Sequence, residues 1–198
     1  MKTSSIRFKL VSLFAVLVFL MTVMPVSPAY AANNTISLES FAKTLNQGDA
    51  SQLVGVYVNN IMAVRVVQQS SASYVSSLSG TLTQFGMASQ YGSIGLLAHN
   101  YLAGASFSKL TSGTEIYLVF GDGSTKKFQV NSVKRYQALS PNDPYSKFVN
   151  LDSSENTLSS SDVFNETYAD HDLVLQTCIS KNGLSSWGRL FVMASPAD

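Results

Sequence analysis

A second cysteine is missing from this chain. Cys178 is the only one in 198 residues. An intramolecular disulfide is therefore excluded, and the thiol is a buried apolar group, an intermolecular link or a reactive nucleophile. A basic patch is missing too. Setting aside Lys2, Arg7 and Lys9 leaves 10 basic residues against 12 acidic ones, a net of −2, and nothing in that balance suggests nucleic acid as a partner. Beyond residue 24 there is no apolar run of membrane length, no internal repeat and no linker dividing two domains.

What is present begins with an export signature. Lys2, Arg7 and Lys9 precede an almost wholly apolar stretch from Leu10 to Met24. Pro25 and Pro28 break it, and Ala29-Tyr30-Ala31 has the small-x-small pattern of a signal peptidase site. The apolar run is shorter than the ~20 residues that span a bilayer. Cleavage after Ala31 is expected, with a retained membrane anchor as the alternative. Either way the body of the chain lies outside the cytoplasm, secreted or at the cell surface. On the bare count inert burial is the better reading of the lone thiol, and an exported protein without a disulfide, having less reason to carry an oxidisable thiol, shifts that balance only modestly toward function. The expected organisation is a signal peptide over 1–31, an N-terminal extension with a short helix over 32–49, and one domain over 50–198, long enough to bury a core.

Ser37 can cap a helix in which Leu38, Phe41, Ala42 and Leu45 recur at helical spacing before Gly48. Leu53–Val58 and Ile61–Val67, joined at Asn59-Asn60, read as a hairpin. Residues 68–93, rich in Ser, Gly and Gln, read as a long surface connection from which Phe85 and Met87 dip into the core. Ile94–Ala98 is an apolar strand ending on His99, followed by a glycine-assisted loop and a helical turn anchored by Phe107 and Leu110. Glu115–Phe120 and Lys126–Lys134 flank the turn Gly121-Asp122-Gly123. Residues 137–172 hold seven of the 12 acids; Phe148, Val149 and Leu151 are expected to cover the core there, and Ser161-Asp162 to cap a helix through Tyr168. Such a long connection in a compact domain is often functional. A strand, 173–178, then delivers Cys178 to its tip, a loop follows over 179–188, and a last strand runs over 189–194. Many short strands with Gly-rich turns and one or two helices predict a mainly β barrel or sandwich.

A thiol becomes a nucleophile only when deprotonated, so it needs a cationic or basic neighbour. Two histidines are available. His99 closes a strand before a loop, whereas His171 sits between Asp170 and Asp172 and reads as a solvated loop residue. Arg189, after Gly188, opens the last strand. It is either a strand-end charge with a snorkelled stem or a group able to hold an oxyanion or a substrate backbone. Thr177 and Trp187 are candidate substrate contacts. Strand alternation turns the Thr177 side chain away from the face of Cys178, and an aromatic beside a loop glycine is more often a core lid.

In order and spacing these residues resemble the sortases, the extracellular cysteine transpeptidases of bacteria. Val174-Leu175-Gln176-Thr177-Cys178 is similar to the family pattern Thr-Leu-x-Thr-Cys except at its first position. Arg189 lies on the next strand, as the family arginine does. His99, the glycine-containing loop to Gly104, Phe107-Ser108-Lys109-Leu110 and the strand from Glu115 repeat the family order around its histidine. The resemblance covers roughly residues 50–196. It implies an eight-stranded β-barrel with a few short helices, and His99, Cys178 and Arg189 as catalytic residues. It also implies cleavage of a Leu-Pro-x-Thr-Gly-type sorting motif through a thioacyl enzyme. The partners implied are a surface-protein peptide and an amine acceptor from the cell wall or another protein. No metal or other cofactor is required. Some members bind calcium in the segment equivalent to 137–172, but acids in a long loop are more often merely solvated. Asn100 stands where many sortases carry Arg or Thr, Val174 replaces the usual Thr, and most sortases keep their anchor, so the subclass is atypical. The alternative is a non-catalytic barrel of the same fold that binds peptide or cell-surface material.

Overall fold

A computed structural model describes residues 36–153 and 157–198. The leader and its cleavage site lie outside the described residues, as do residues 32–35 of the extension. Among the described residues no helix is long and apolar enough to cross a membrane.

Ser37 opens the first helix, α1 (Leu38–Leu45). Its hydroxyl accepts a hydrogen bond from the Ser40 amide at 3.2 Å, satisfying one of the donors that a first turn leaves unpaired. The apolar stripe Phe41, Ala42 and Leu45 packs on Val54, Tyr57 and Val119, outside the main core. Gly55 permits the close approach, because a Cβ there would lie 2.4 Å from Leu45 Cδ1.

Ten strands follow: β1 (Leu53–Val58), β2 (Met62–Gln68), β3 (Thr81–Phe85), β4 (Ile94–Leu97), β5 (Glu115–Phe120), β6 (Thr125–Ala138), β7 (Phe148–Asn150), β8 (Thr157–Leu158), β9 (Leu173–Lys181) and β10 (Leu184–Pro196). Their order is β10-β9-β4-β3-β2-β1-β5-β6, and β10 pairs back onto β6. That closes an eight-stranded barrel, as expected, and removes the open edges that a sheet would otherwise present. β7 and β8 are a short flap built on β6. The pairs β2–β3 and β4–β9 are parallel and the rest antiparallel. Leu82, Leu96, Phe107, Leu118, Phe128 and Leu175 fill the interior.

Three expectations need correction. The segment 68–93 is not only a connection: it contains β3 and a 3-10 helix, Gly86–Tyr91. Thr81 and Thr83 are buried because nearby groups satisfy them. Thr83 Oγ1 accepts from the Ser76 amide at 2.8 Å, and Thr81 Oγ1 donates to Leu78 O at 2.8 Å. Met87 is 44% exposed and does not enter the core, whereas Phe85 packs edge-on against Phe164 and Tyr168. Residues 179–188 are not a loop. β9 and β10 run on to a two-residue turn, Asn182-Gly183, with φ of 52° and 79°. Both lie in the left-handed region that a tight hairpin turn of this kind demands.

A second apolar layer lies outside the ring, where Tyr136, Phe148, Tyr168, Val174, Phe191 and Met193 pack beneath helix α2 (Ser160–Tyr168). The helix starts one residue before the expected cap. Ser159 and Asp162 form a capping box, each side chain bonding the other's backbone amide. Phe148 is buried here, but Val149 is only half-buried and Leu151 is 41% exposed. The acids of this segment hold its architecture. Besides Asp162, Asp152 bonds Arg135, and Asp143 accepts from the Tyr145 amide at 2.8 Å. Burial pushes the Glu166 carboxyl upward, but bonds from Lys134 (2.7 Å) and Tyr136 (3.0 Å) outweigh it and leave its pKa below the ordinary value.

Candidate active site

Alternation along three neighbouring strands decides which residues meet. On β9, Leu173 and Leu175 join the interior cluster, whereas Val174 joins the outer layer. Residue 178 therefore falls on the outer face, two steps beyond Gln176. On β10, Leu190 and Val192 point inward and Phe191 and Met193 outward, which puts Arg189 on the outer face as well. Leu96 and Ala98 are interior residues, so His99 is turned outward too.

Register brings these three level. Arg189 is the registered partner of Cys178 in the antiparallel β9–β10 pair. On the other side, β4 runs parallel to β9 with Leu96 opposite Leu175 and Leu97 opposite Gln176, and the Ala98 amide donates to Gln176 O at 3.2 Å. β4 ends at Leu97, and continuing its register two residues further would bring His99 level with Cys178. The thiol thus stands on the middle strand of three, half-buried, with a histidine one strand away and an arginine one strand away on the other side. Neighbouring strands lie about 4.8 Å apart. By register and alternation an imidazole, a thiol and a guanidinium fall on one surface.

Each flanking residue is held. His99 stacks on Tyr101 with ring centroids 5.1 Å apart and planes inclined by 17°, and its carbonyl accepts from the amides of Leu102 (3.0 Å) and Gly104 (3.1 Å). The Arg189 guanidinium donates through NH1 to Ser186 O (2.8 Å) and Gly188 O (2.9 Å), and through NH2 to Pro141 O (3.2 Å). All three partners are neutral carbonyls, and among the described residues no carboxylate forms an ion pair with it. It also joins the strand end to the tip of the β6–β7 connection, where Ser186 Oγ bonds Asn142 Oδ1 at 3.0 Å.

The carbonyls of Ser185 and Ser186 are available because β10 bulges. Lys181 pairs with Leu184 and Ile179 with Gly188, so four residues of β10 span what two residues of β9 cover. Trp187 lies in this bulge, half-buried, with the Lys181 ammonium 4.5 Å from its ring centroid. One face of its ring is thus engaged.

Thr177 is on the other side of the sheet. It is 4% exposed, and its hydroxyl donates to Ala98 O at 2.8 Å. As alternation predicts, the hydroxyl faces the interior, where it holds β9 to the end of β4. His171 lies just before the start of β9, at the end of that strand away from Cys178, and its carbonyl takes a bond from Ser93 Oγ. Burial, with the Lys134 charge, lowers its pKa against the opposing pull of Asp170 and Asp172. Among the described residues no group of three His, Cys, Asp or Glu side chains is placed to hold a metal ion.

Sequence reasoning missed Tyr101, Gln176 and the Ser185–Trp187 bulge. Gln176 accepts from the Tyr168 hydroxyl at 2.8 Å, and so ties α2 to the strand two residues before the thiol. Only Asn182-Gly183 carried a readable signal, the hairpin turn that closes the bulged pair.

No protein-family model matches the chain, and no curated protein matches it either. Solved structures do. Sortase C of Streptococcus pneumoniae is similar over 79% of this chain and 73% of its own, with a TM-score of 0.51 at 16% identity. Sortase C-1 of Actinomyces oris is similar over 85% of both chains, with a TM-score of 0.51 at 11% identity.

Proposed function

We propose that this chain, which has the sortase fold, is an exported cysteine transpeptidase of sortase type acting on a Leu-Pro-x-Thr-Gly-type sorting motif. The observation that supports the reading is the register that pairs Arg189 with Cys178 across β10 and β9 and that, continued two residues past the end of β4, brings His99 level with them. The Cys178 thiolate attacks the carbonyl carbon of the motif's Thr, forming a C–S bond. As the tetrahedral intermediate collapses, the Thr–Gly C–N bond breaks and His99 gives its proton to the leaving amine. An acceptor amine, or water, then attacks the thioester. Its proton passes to His99 and Cys178 leaves as thiolate, so protons and electron pairs balance over the cycle.

Arg189 faces the oxyanion or the substrate backbone in this scheme. Its neutral partners leave its charge uncompensated, and a preorganised cation at a site of developing negative charge lowers the barrier without reorganising. The tip at Pro141–Asn142, which Arg189 and Ser186 reach, would border the bound peptide. The step requires no metal.

The test is mass spectrometry of the protein incubated with a library of Leu-Pro-type peptides, with and without amine acceptors. The expected result is an acyl adduct on Cys178 that is discharged by amine, and neither adduct nor cleavage with Cys178→Ala. Normal turnover by Cys178→Ala would end the proposal. An absence of adducts with every peptide would favour a non-catalytic barrel that binds cell-surface material.

A further inference from the structure

His99 leaves the sheet just as its chemistry would begin. The bond from the Ala98 amide to Gln176 O is the last rung joining β4 to β9, and from His99 onward the chain turns into the loop that reaches Gly104. A residue so placed needs another tie if its ring is to stay level with Cys178. The next side chain supplies one. Asn100 Nδ2 donates to Ser180 Oγ at 2.6 Å and to Ser185 O at 2.8 Å. The carbonyl of Ser185 can only accept, so the amide nitrogen, not the oxygen, must face it. Ser180 follows Cys178 on β9, and Ser185 belongs to the β10 bulge whose next carbonyl, Ser186 O, holds the Arg189 guanidinium. One amide therefore closes a circuit from the histidine strand through the cysteine strand to the arginine strand.

We propose that Asn100 is a positioning residue of this site, whose side-chain amide locks the strand end carrying His99 to the bulge that holds Arg189. The assignment rests on the transpeptidase reading for its kinetic consequence, but not for its geometry. Asn100 touches neither the thiol nor the scissile bond in this scheme; it acts through where it keeps its neighbours. Small displacements of reacting groups are costly, up to roughly a hundredfold in rate for about 1 Å.

The experiment compares Asn100→Ala, Asn100→Asp and Asn100→Gln in the full chain. Asn100→Asp retains the size and can still accept from Ser180, but it sets a carboxylate against Ser185 O. Asn100→Gln keeps the donor on a longer stem. With a sorting-motif peptide, Ala and Asp are expected to lower kcat by about ten- to a hundredfold with KM little changed, and Gln to recover part of the loss. The second readout needs no turnover. The sequence has 2 histidines, so the imidazole resonances of His99 are read by NMR with His171 as internal reference. A His99 shift in Asn100→Ala, with His171 unmoved, supports the tie. An unmoved His99, an unchanged kcat, or a loss of kcat that merely follows the loss of thermal stability overturns it. If the wild-type protein turns over no peptide, the transpeptidase reading fails by itself, and the NMR comparison still decides the positioning role.

Discussion

Gly104 is where the barrel interior and the candidate site press on one another. A Cβ at this position would lie 2.3 Å from Thr177 Oγ1, 2.7 Å from His99 O and 3.0 Å from Ala98 O. Two of these are main-chain atoms at the end of β4 and cannot swing away as a side-chain tip would. Gly104→Ala should therefore displace the turn that carries His99, or push Thr177 Oγ1 off Ala98 O, to which it now donates at 2.8 Å. Overpacking of this kind costs about 1–3 kcal/mol, and a buried polar group losing its partner costs about 1 kcal/mol or more besides. A total near 2–4 kcal/mol follows. Thr177→Ala removes the hydroxyl that meets the new methyl, at the cost of its own hydrogen bond. In urea unfolding the double variant should be more stable than the sum of the two single losses predicts, by about 1 kcal/mol. Additivity within about 0.3–0.5 kcal/mol would refute the contact. The same would follow if Gly104→Ala alone unfolded at the wild-type midpoint.

Two further outcomes follow from the charges around the site. Arg189→Lys keeps a cation but cannot span Ser186 O, Gly188 O and Pro141 O at once, so peptide cleavage should fall by about a hundredfold or more while near-UV circular dichroism stays native; wild-type rates in this variant would remove Arg189 from the mechanism. The depressed pKa of Glu166 means that the unfolded chain binds the proton more tightly, so this group's stabilisation is present above its ordinary value of 4.5 and is lost as pH falls below that. Because the Glu166 side chain is 37% exposed, the effect should not exceed about 1 kcal/mol, and Glu166→Gln should flatten the acid limb of the stability curve by that amount; an unchanged limb would contradict it.

The barrel strands rich in β-branched and aromatic residues were legible from sequence, because β1, β5, β9 and the middle of β10 bury what they display. His99, Cys178 and Arg189 could be singled out for a different reason: strand-end chemistry on three apolar runs resembled one family's order. β3 was not legible. Its threonines look like surface until Ser76 and Leu78 are seen to satisfy them. The outward strand ends were hidden likewise, since Ser180, Ser185 and Ser186 carry no β signal and are held by partners far away in the chain. Asn100 is the clearest example. It bonds residues 80 and 85 positions away, and no local pattern around it could announce that contact. Thr177 shows what alternation alone can decide, since its side chain was expected on the face opposite Cys178 and lies there.

The bulge explains why an arginine rather than a tryptophan faces the thiol. From the pair Lys181–Leu184, a regular antiparallel ladder would set residue 187 opposite Cys178. Instead two surplus residues on β10 bring Arg189 there. Because side chains alternate with a period of two, a shift by two leaves every inward and outward assignment unchanged. A shift by one would have turned Arg189 into the barrel interior. The surplus thus changes the chemistry opposite Cys178 without disturbing the core made by Leu190, Val192 and Ala194. It also releases two successive carbonyls from the ladder, and these are the ones that receive Asn100 and Arg189. The same irregularity therefore selects the residue registered opposite the thiol and supplies the carbonyls that bond Asn100 and Arg189, which in the proposed scheme makes the hairpin from 179 to 188 a part of the site rather than its border.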